Sequence, residues 1–463
     1  MALPNPRGRQ SAVVYMPATG HQVILGTAGT GKTVMAMLRA IHLASASTPG
    51  AGRVLLVTYN NALVTYLRHL RGGPANGVTV ETYGRFARGF LRSRGLMPIW
   101  GGILKPNQRR SMVRSAFEAV ASGYKPSKFF DRELGFFLDE LEWLSGMGIT
   151  TLAEYESIER HGRKTPLSPS QRGAVWKISE HYRALRAASG ALYDWYDIAS
   201  SARLQIATAN GPPRYRHVVI DEGQDLSPEA VRSLAEVVHP EGSVTFFGDY
   251  AQQIYGQDLS WRACGLNIRR VERFEDNYRN TAEIARLAIA MSEMPLFGGD
   301  PADLVEPRAP RAAGPLPALV ECRDEATEVA AVQRLAADFG ASGTVAVLAR
   351  TWAAAERACR GLSVRKLTSD MASWDPTPGI YCGAYHSAKG LEFDAVLMPF
   401  CSDEYVPLPD VLAAFGTDEA ASREAKLLYV GVTRARTDLV VTYSGQLTPL
   451  LPTGVGLWDR STL

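Results

Sequence analysis

The octapeptide GTAGTGKT, Gly26 to Thr33, narrows the possible folds of this chain more than any other stretch. It follows the apolar run QVIL and opens the helix-like stretch VMAMLRAIHLA, a strand, a glycine-rich turn and a helix in immediate succession. That order is the setting a P-loop needs. The glycines let backbone N–H groups turn inward around phosphates, and the helix N-terminus adds its partial positive charge. The expected cradle is Gly26, Thr27, Ala28, Gly29, Thr30 and Gly31, with Lys32 reaching the β- and γ-phosphates and Thr33 on Mg²⁺. The expected ligands are therefore ATP and Mg²⁺, held on a parallel α/β fold.

The rest of the chain has the same rhythm. RVLLVT (53 to 58), VTVET (78 to 82), HVVI (217 to 220) and SVTFF (243 to 247) are strand candidates alternating with helix-length segments, the pattern of a parallel sheet covered by helices. Between Tyr83 and Tyr215 the periodicity becomes helical, as in RRSMVRSAFEAVA and FFLDELEWL, which predicts a helical insertion. A Pro- and Gly-rich connector spans 297 to 317. Strands resume at ALVEC (318 to 322), TVAVLA (344 to 349), GIYCG (379 to 383), DAVLMPF (394 to 400) and DLVVTY (438 to 443).

The apolar strand HVVI ends in Asp221 and Glu222, followed by Gln224 and Asp225. Carboxylates at the carboxyl end of a strand downstream of a P-loop face the bound nucleotide. Asp221 is placed to complete the Mg²⁺ site, and Glu222 to orient and deprotonate the attacking water.

Bulk properties neither demand nor exclude a polyanionic partner. Of 463 residues, 50 are Lys or Arg and 47 Asp or Glu, a formal net charge of +3, so any case for nucleic acid must rest on motifs. Cys264, Cys322, Cys359, Cys382 and Cys401 stand singly, without the paired spacing of zinc or redox motifs, and read as buried apolar residues in a reducing compartment. No run approaches the ~20 apolar residues of a membrane span, so a soluble cytoplasmic protein without a membrane partner is expected. No acidic cluster suggests an appended nuclease.

Beyond the two nucleotide motifs, the sequence resembles superfamily 1 helicases of the UvrD/Rep/PcrA type, in order along almost the whole chain. GDYAQQIYG (248 to 256) resembles the family's third motif, EDNYRNT (275 to 281) the fourth, YHSAKGLEF (385 to 393) the fifth and LLYVGVTRAR (427 to 436) the sixth. The resemblance implies two RecA-like P-loop domains with parallel sheets and a helical subdomain inserted in the first. The implied boundaries are 1–84 and 196–273 for the first domain, 85–195 for the insertion and 274–463 for the second domain. It also implies roles. Gln10 would read adenine and Tyr278 stack on it, Glu392 would bind the ribose, and Arg279 and Arg434 would reach the γ-phosphate from the second domain. Gln252 would link γ-phosphate to DNA. Tyr59, Asn61, Thr82, Tyr83, Tyr255, Trp261 and His386 would contact the strand, where base stacking is worth about 1–3 kcal/mol per base. Arg160, Arg163 and Lys164 in the helical stretch would either touch phosphates or be solvated.

The implied activity is ATP-driven 3′→5′ movement on single-stranded or partly duplex DNA, coupled to unwinding or to protein displacement. The alternatives are a translocase that does not unwind and works with a partner nuclease in repair or defence, an RNA-directed motor, and a nucleotide-controlled clamp, which would have no use for Glu222. Three positions depart from the family pattern: Val34, Ala62 and Ala384. The span from Arg279 to His386 is long enough only to complete a second RecA-like fold, so the large domain inserted there in UvrD, Rep and PcrA is expected to be absent.

Overall fold

The computed structural model describes Pro6 and residues 8–26, 30–58, 61–71, 77–160, 163, 165–208, 214–249, 261–262, 264–268, 271–274, 280–297, 312–368 and 374–463. Two wholly parallel sheets organise these residues. The first contains β1 (Gln22–Gly26), β2 (Val54–Thr58), β3 (Val78–Thr82), β4 (Tyr215–Ile220), β5 (Val238–Gly248) and β6 (Val271–Phe274), in spatial order β3-β2-β4-β5-β1-β6. The second contains β7 (Ala318–Cys322), β8 (Thr344–Ala349), β9 (Val364–Lys366), β10 (Gly379–Ala384), β11 (Phe393–Met398), β12 (Ala435–Ser444) and β13 (Asp459–Thr462), in order β13-β7-β12-β11-β8-β10-β9. The chain is thus two α/β domains, as its alternating pattern predicts.

Central strands are apolar on both faces because helices cover both. Leu55, Val57, Val218, Ile220 and Phe246 pack into one layer, and Ile24, Leu56, Val219 and Phe247 into the other. Three strands were not anticipated from the sequence: β6, β9 and β13. All are short sheet edges with one neighbour, and β13 is exposed along its length, so no double burial forces an apolar run on them.

Register aligns the ends that matter. Leu25 of β1 pairs with Gly248 of β5, and Ile220 of β4 with Phe246 of β5. The P-loop, Asp221 and Asp249 therefore leave one edge of the sheet side by side, where parallel α/β sheets bind ligands.

Between β3 and β4 the described residues form six helices: Tyr83–Ser93, Pro106–Ala121, Leu134–Met147, Leu152–Ser157, Pro169–Ala188 and Ile198–Ala207. Four of these enclose a core of their own around Phe137, Trp143, Tyr155 and Val175. Arg160 sits inside it. Its guanidinium meets Glu140 at 2.5 Å, and Glu140 also accepts the Tyr155 hydroxyl at 2.6 Å. Arg163 is likewise buried and pairs with Asp139, and burial, with the nearby charge of Arg423, pulls it down to about 9. Neither arginine is solvated, nor is Arg160 available to phosphate: a buried cation needs a fixed counter-charge, and both have one. Lys164 lies outside the described residues.

All five cysteines are free and buried, as expected. No helix among the described residues is long and apolar enough to cross a membrane.

Candidate functional site

The turn after β1 is shaped by two glycines. A Cβ at Gly26 would lie 2.7 Å from the Thr30 hydroxyl, and Gly31 has φ +80°, a conformation that favours glycine. The helix Lys32–Ala44 starts there. Lys32, almost wholly buried, donates to the Gly26 carbonyl at 2.7 Å and lies 3.6 Å from Asp249. Gln10, on the helix Arg9–Val14, donates to the Thr30 carbonyl at 3.2 Å and lies 3.1 Å from where a Gly31 side chain would be. It sits against the turn that would carry the phosphates. Thr27, Ala28 and Gly29 lie outside the described residues.

Beyond β4, two neighbouring carboxylates are driven apart. Asp221 is buried, and neither of its oxygens has a hydrogen-bond partner among the described residues. Burial, and secondly the charge of Glu222, push it up to about 7, against relief from Thr33 and Lys32. Glu222 feels the same burial, but Lys389, Lys32 and Arg434 outweigh it and hold the carboxylate below its ordinary value. Gln224 donates to Glu222 at 2.6 Å and accepts from the Asp249 amide at 2.9 Å, tying the ends of β4 and β5 together. Splitting two carboxylates in this way is how one site keeps one of them ionised as a base. The pair of orphaned Asp221 oxygens beside the Thr33 hydroxyl also fits a hard divalent cation. Mg²⁺ is commonly held by one or two protein oxygens and completed by water and phosphate.

Charge on these two aspartates makes stability depend on pH. Burial raises both Asp221 and Asp225 to about 7, so the folded chain binds these protons more tightly than the unfolded chain does. Their contribution is full below the unfolded value near 4 and is lost as pH rises through 7. His217 is buried, His21 half-buried and His386 exposed; all three are lowered by desolvation and act oppositely, adding stability as pH rises through the ordinary histidine value of 6.5. Between pH 6.5 and 8.0 each aspartate is therefore expected to withdraw about 1 kcal/mol from the nucleotide-free protein, partly offset by the histidines, and Asp221→Asn to lose about 1 kcal/mol less than the wild type. Thermal melts of both proteins at the two pH values check this; equal losses would remove Asp221 from the account.

The second domain closes on this corner. Lys389 lies 2.6 Å from Asp225, and both side chains are buried. Arg434, at the amino end of β12, is fully buried with its Nε on the Val430 carbonyl at 3.1 Å and its Nη2 on the Thr433 hydroxyl at 3.1 Å, and its charge reaches Glu222. Asn280 braces that turn by donating to the Ala435 carbonyl at 2.5 Å. Glu392 is half-buried just before β11. Gln252, Tyr278 and Arg279 lie outside the described residues.

Next to this corner is a cavity of about 810 Å³ bounded by both domains and by the intervening helices. Asn61, Thr82, Gln224 and His386 line it, with Trp195 and Trp352. The Asn61 amide oxygen is buried there without a partner among the described residues. His386 is exposed on the cavity side, and partial desolvation, with the charge of Arg350, holds its ring below the ordinary histidine value. Thr82 borders the cavity while capping the helix Tyr83–Ser93.

Two of the expected stacking rings are not free platforms. Tyr83 borders the cavity but is nine-tenths buried, with its hydroxyl 2.7 Å from Ser233, and Trp261 rests edge-on against Phe246 at 4.6 Å. Packing claims both. Tyr59 and Tyr255 lie outside the described residues. Sequence reasoning assigned no role to Gln224, Asp249, Lys389, Trp195 or Trp352. A lysine amid the small and apolar residues of YHSAKGLEF was the signal for Lys389, and the aromatic pair in YDWYDIA the signal for Trp195.

Comparison with known proteins adds names. The family described as an AAA domain matches residues 9–258, and the UvrD-like helicase C-terminal domain matches residues 365–446. ATP-dependent DNA helicase UvrD2 of Mycobacterium tuberculosis is 24% identical over 562 residues, covering 95% of this chain and 79% of that protein. ATP-dependent DNA helicase UvrD1 of the same species is 28% identical over 299 residues, covering 60% of this chain and 36% of its own. DNA helicase II of Escherichia coli is 24% identical over 314 residues, covering 62% and 40%.

Proposed function

Because the chain belongs to the UvrD-like superfamily 1 helicases, with the AAA domain family spanning its first half, we propose that it is a motor that hydrolyses ATP to move 3′→5′ along single-stranded DNA. The observation that carries this reading is the position of Glu222. It is buried among Lys32 of the first domain and Lys389 and Arg434 of the second, so its ionisation depends on both domains being together. A catalytic carboxylate whose charge depends on domain closure is what a nucleotide-driven motor requires.

In this mechanism Lys32 and the turn around Gly31 hold the β- and γ-phosphates. Thr33 and Asp221 would hold Mg²⁺, which when bound screens phosphate charge as a Lewis acid. Glu222, kept ionised, takes a proton from the water that attacks the γ-phosphorus, and Arg434 stabilises the charge that develops on the phosphoryl oxygens. Loss of the γ-phosphate removes what Arg434 binds, and the domains part. Alternate closing and opening shifts the two domains' grips along a strand in the neighbouring cavity, with Trp195, Trp352 and His386 as the surfaces against which bases rest. The domain boundaries expected from the sequence, with residues 85–195 as an inserted helical subdomain, belong to the same proposal.

A second reading is translocation without unwinding. It is favoured by the stretch from Asn280 to His386, where the described residues are occupied by β7, β8, β9, β10 and their helices. Among them there is no place for the large domain that UvrD, Rep and PcrA carry between the fourth and fifth motifs.

Lys32→Ala is expected to lower hydrolysis stimulated by single-stranded DNA by at least about a hundredfold, since it removes the buried cation that reaches back to the phosphate turn. Unchanged stimulated hydrolysis would displace the nucleotide site. Wild-type enzyme on duplexes with 3′ or 5′ single-stranded tails, and on tailed duplexes carrying a bound protein block, separates direction, unwinding and displacement. RNA of the same sequence in the hydrolysis assay tests the track.

A further inference from the structure

The helix Leu134–Met147 reaches across to the second domain. Both oxygens of Asp139 accept from Arg423, 2.9 Å from Nη1 and 2.9 Å from Nη2. Arg423 also donates to Glu419 at 2.8 Å, and Glu419 accepts the Thr165 hydroxyl at 3.1 Å. The Arg423 guanidinium lies 3.9 Å over the ring of Phe415, which itself packs against the core of the intervening helices. Beside it, a Cβ built on Gly135 would stand 3.3 Å from the Cβ of Ala414. A planar fork paired on both tines and stacked on a ring has one good geometry, so this is a directional clasp rather than a loose charge contact.

The clasp is also a wall. Asp139 lines the cavity, which is bounded in addition by Asn61 and Thr82 of the first domain and by Trp352 and His386 of the second. A strand lying in that cavity would be enclosed from three directions, with the clasp joining two of them. Asp139 and Arg423 each keep about a fifth of their side-chain surface exposed, 20% and 20%, so water can reach the pair and compete for it. Arg423 lies on the helix Thr417–Val432, and Arg434 follows two residues after its end. Nine residues of helical rise, about 14 Å, carry the chain from the clasp to the helix end at Val432, two residues before the arginine expected at the γ-phosphate.

We propose that the Asp139–Arg423 clasp is a gate on the strand cleft: shut, it admits a strand only by threading an end, and open, it admits a strand laterally. Its position on the helix that leads into Arg434 ties gate opening to the nucleotide cycle. The proposal rests on the cavity being the strand's track.

The test is the double variant Gly135→Cys, Ala414→Cys. Its Cβ separation is close to the ~3.5–4.5 Å of a disulfide, and the five native thiols are buried. Hydrolysis is measured with circular and with linear single-stranded DNA of one sequence, for the oxidised variant, the same sample reduced, and Arg423→Ala. The oxidised form is expected to keep its stimulation by linear DNA and to lose at least tenfold with circles, and reduction to restore it. Arg423→Ala is expected to raise the circle-to-linear ratio above wild type. Equal stimulation of the oxidised form by both DNAs would overturn the gate. So would failure of the disulfide to form in a variant that is folded and active. Absence of stimulation by either DNA in the reduced variant and in wild type would instead sink the strand-track reading on which the gate rests.

Discussion

Glu222→Gln is expected to bind ATP as the wild type does and to hydrolyse it about 10²–10⁴-fold more slowly in the presence of single-stranded DNA. The side chain keeps its shape, and the Gln224 contact at 2.6 Å can reorient to an amide, so the backbone of the site has no reason to move. The ionised carboxylate is what disappears. Lys389, Lys32 and Arg434 converge on it against the penalty of burial, and an amide cannot take the water's proton. Steady-state hydrolysis beside binding of a fluorescent ATP analogue separates the two effects. A variant that binds the analogue and still turns over at the wild-type rate would show that another group is the base.

The second large effect lies at Lys389. Its ammonium and the Asp225 carboxylate are 2.6 Å apart and buried, one from each domain. Lys389→Ala leaves a buried carboxylate without its counter-charge, a change that costs about 3–5 kcal/mol where no proton can be taken up. Asp225 is already pushed up to about 7 by burial, and without Lys389 it rises further and takes a proton, so the loss should be smaller at pH 6 than at pH 8. Glu222 loses the foremost of the charges that hold it down, so the acid limb of the pH–rate profile should move upward. Replacing both partners, Lys389→Met with Asp225→Leu, should recover most of the melting temperature without restoring the profile. A Lys389→Ala protein that melts like the wild type at pH 8 would mean that the two domains do not rest on this pair.

What could be read beforehand follows from what each feature demands of the chain. A phosphate-binding turn needs glycine at fixed places, so Gly26 and Gly31 announce it locally. Central strands such as HVVI and TVAVLA are buried on both faces and so must be continuously apolar. Edge strands carry no such demand, and VRK and DRST look like any surface segment. Charged residues are ordinarily solvated, which concealed Arg160 and Arg163, whose partners Glu140 and Asp139 lie about twenty residues away and identify themselves only once the helices pack. That Tyr83 packs against Ser233 and Trp261 against Phe246 was hidden for the opposite reason: an aromatic beside a motif has the same spelling whether it faces the cleft or the core. The Lys389–Asp225 pair, 164 residues apart, has no local signature at all. It exists only because two separate sheets meet.

One feature of the nucleotide corner bears on how this protein can be improved or damaged. Glu222 holds φ +53°, a left-handed conformation that costs a side-chain-bearing residue about 1–2 kcal/mol, and it does so as a buried charge. Glycine at this position would relieve the backbone and discard the charge together. The working chain is therefore not the most durable one its fold permits, and a screen that rewards heat resistance alone would drift toward inert proteins at this position. Thermal robustness is better sought where no such conflict exists, for example at the exposed apolar residues Ile99 and Trp100, which take no part in the nucleotide corner described above.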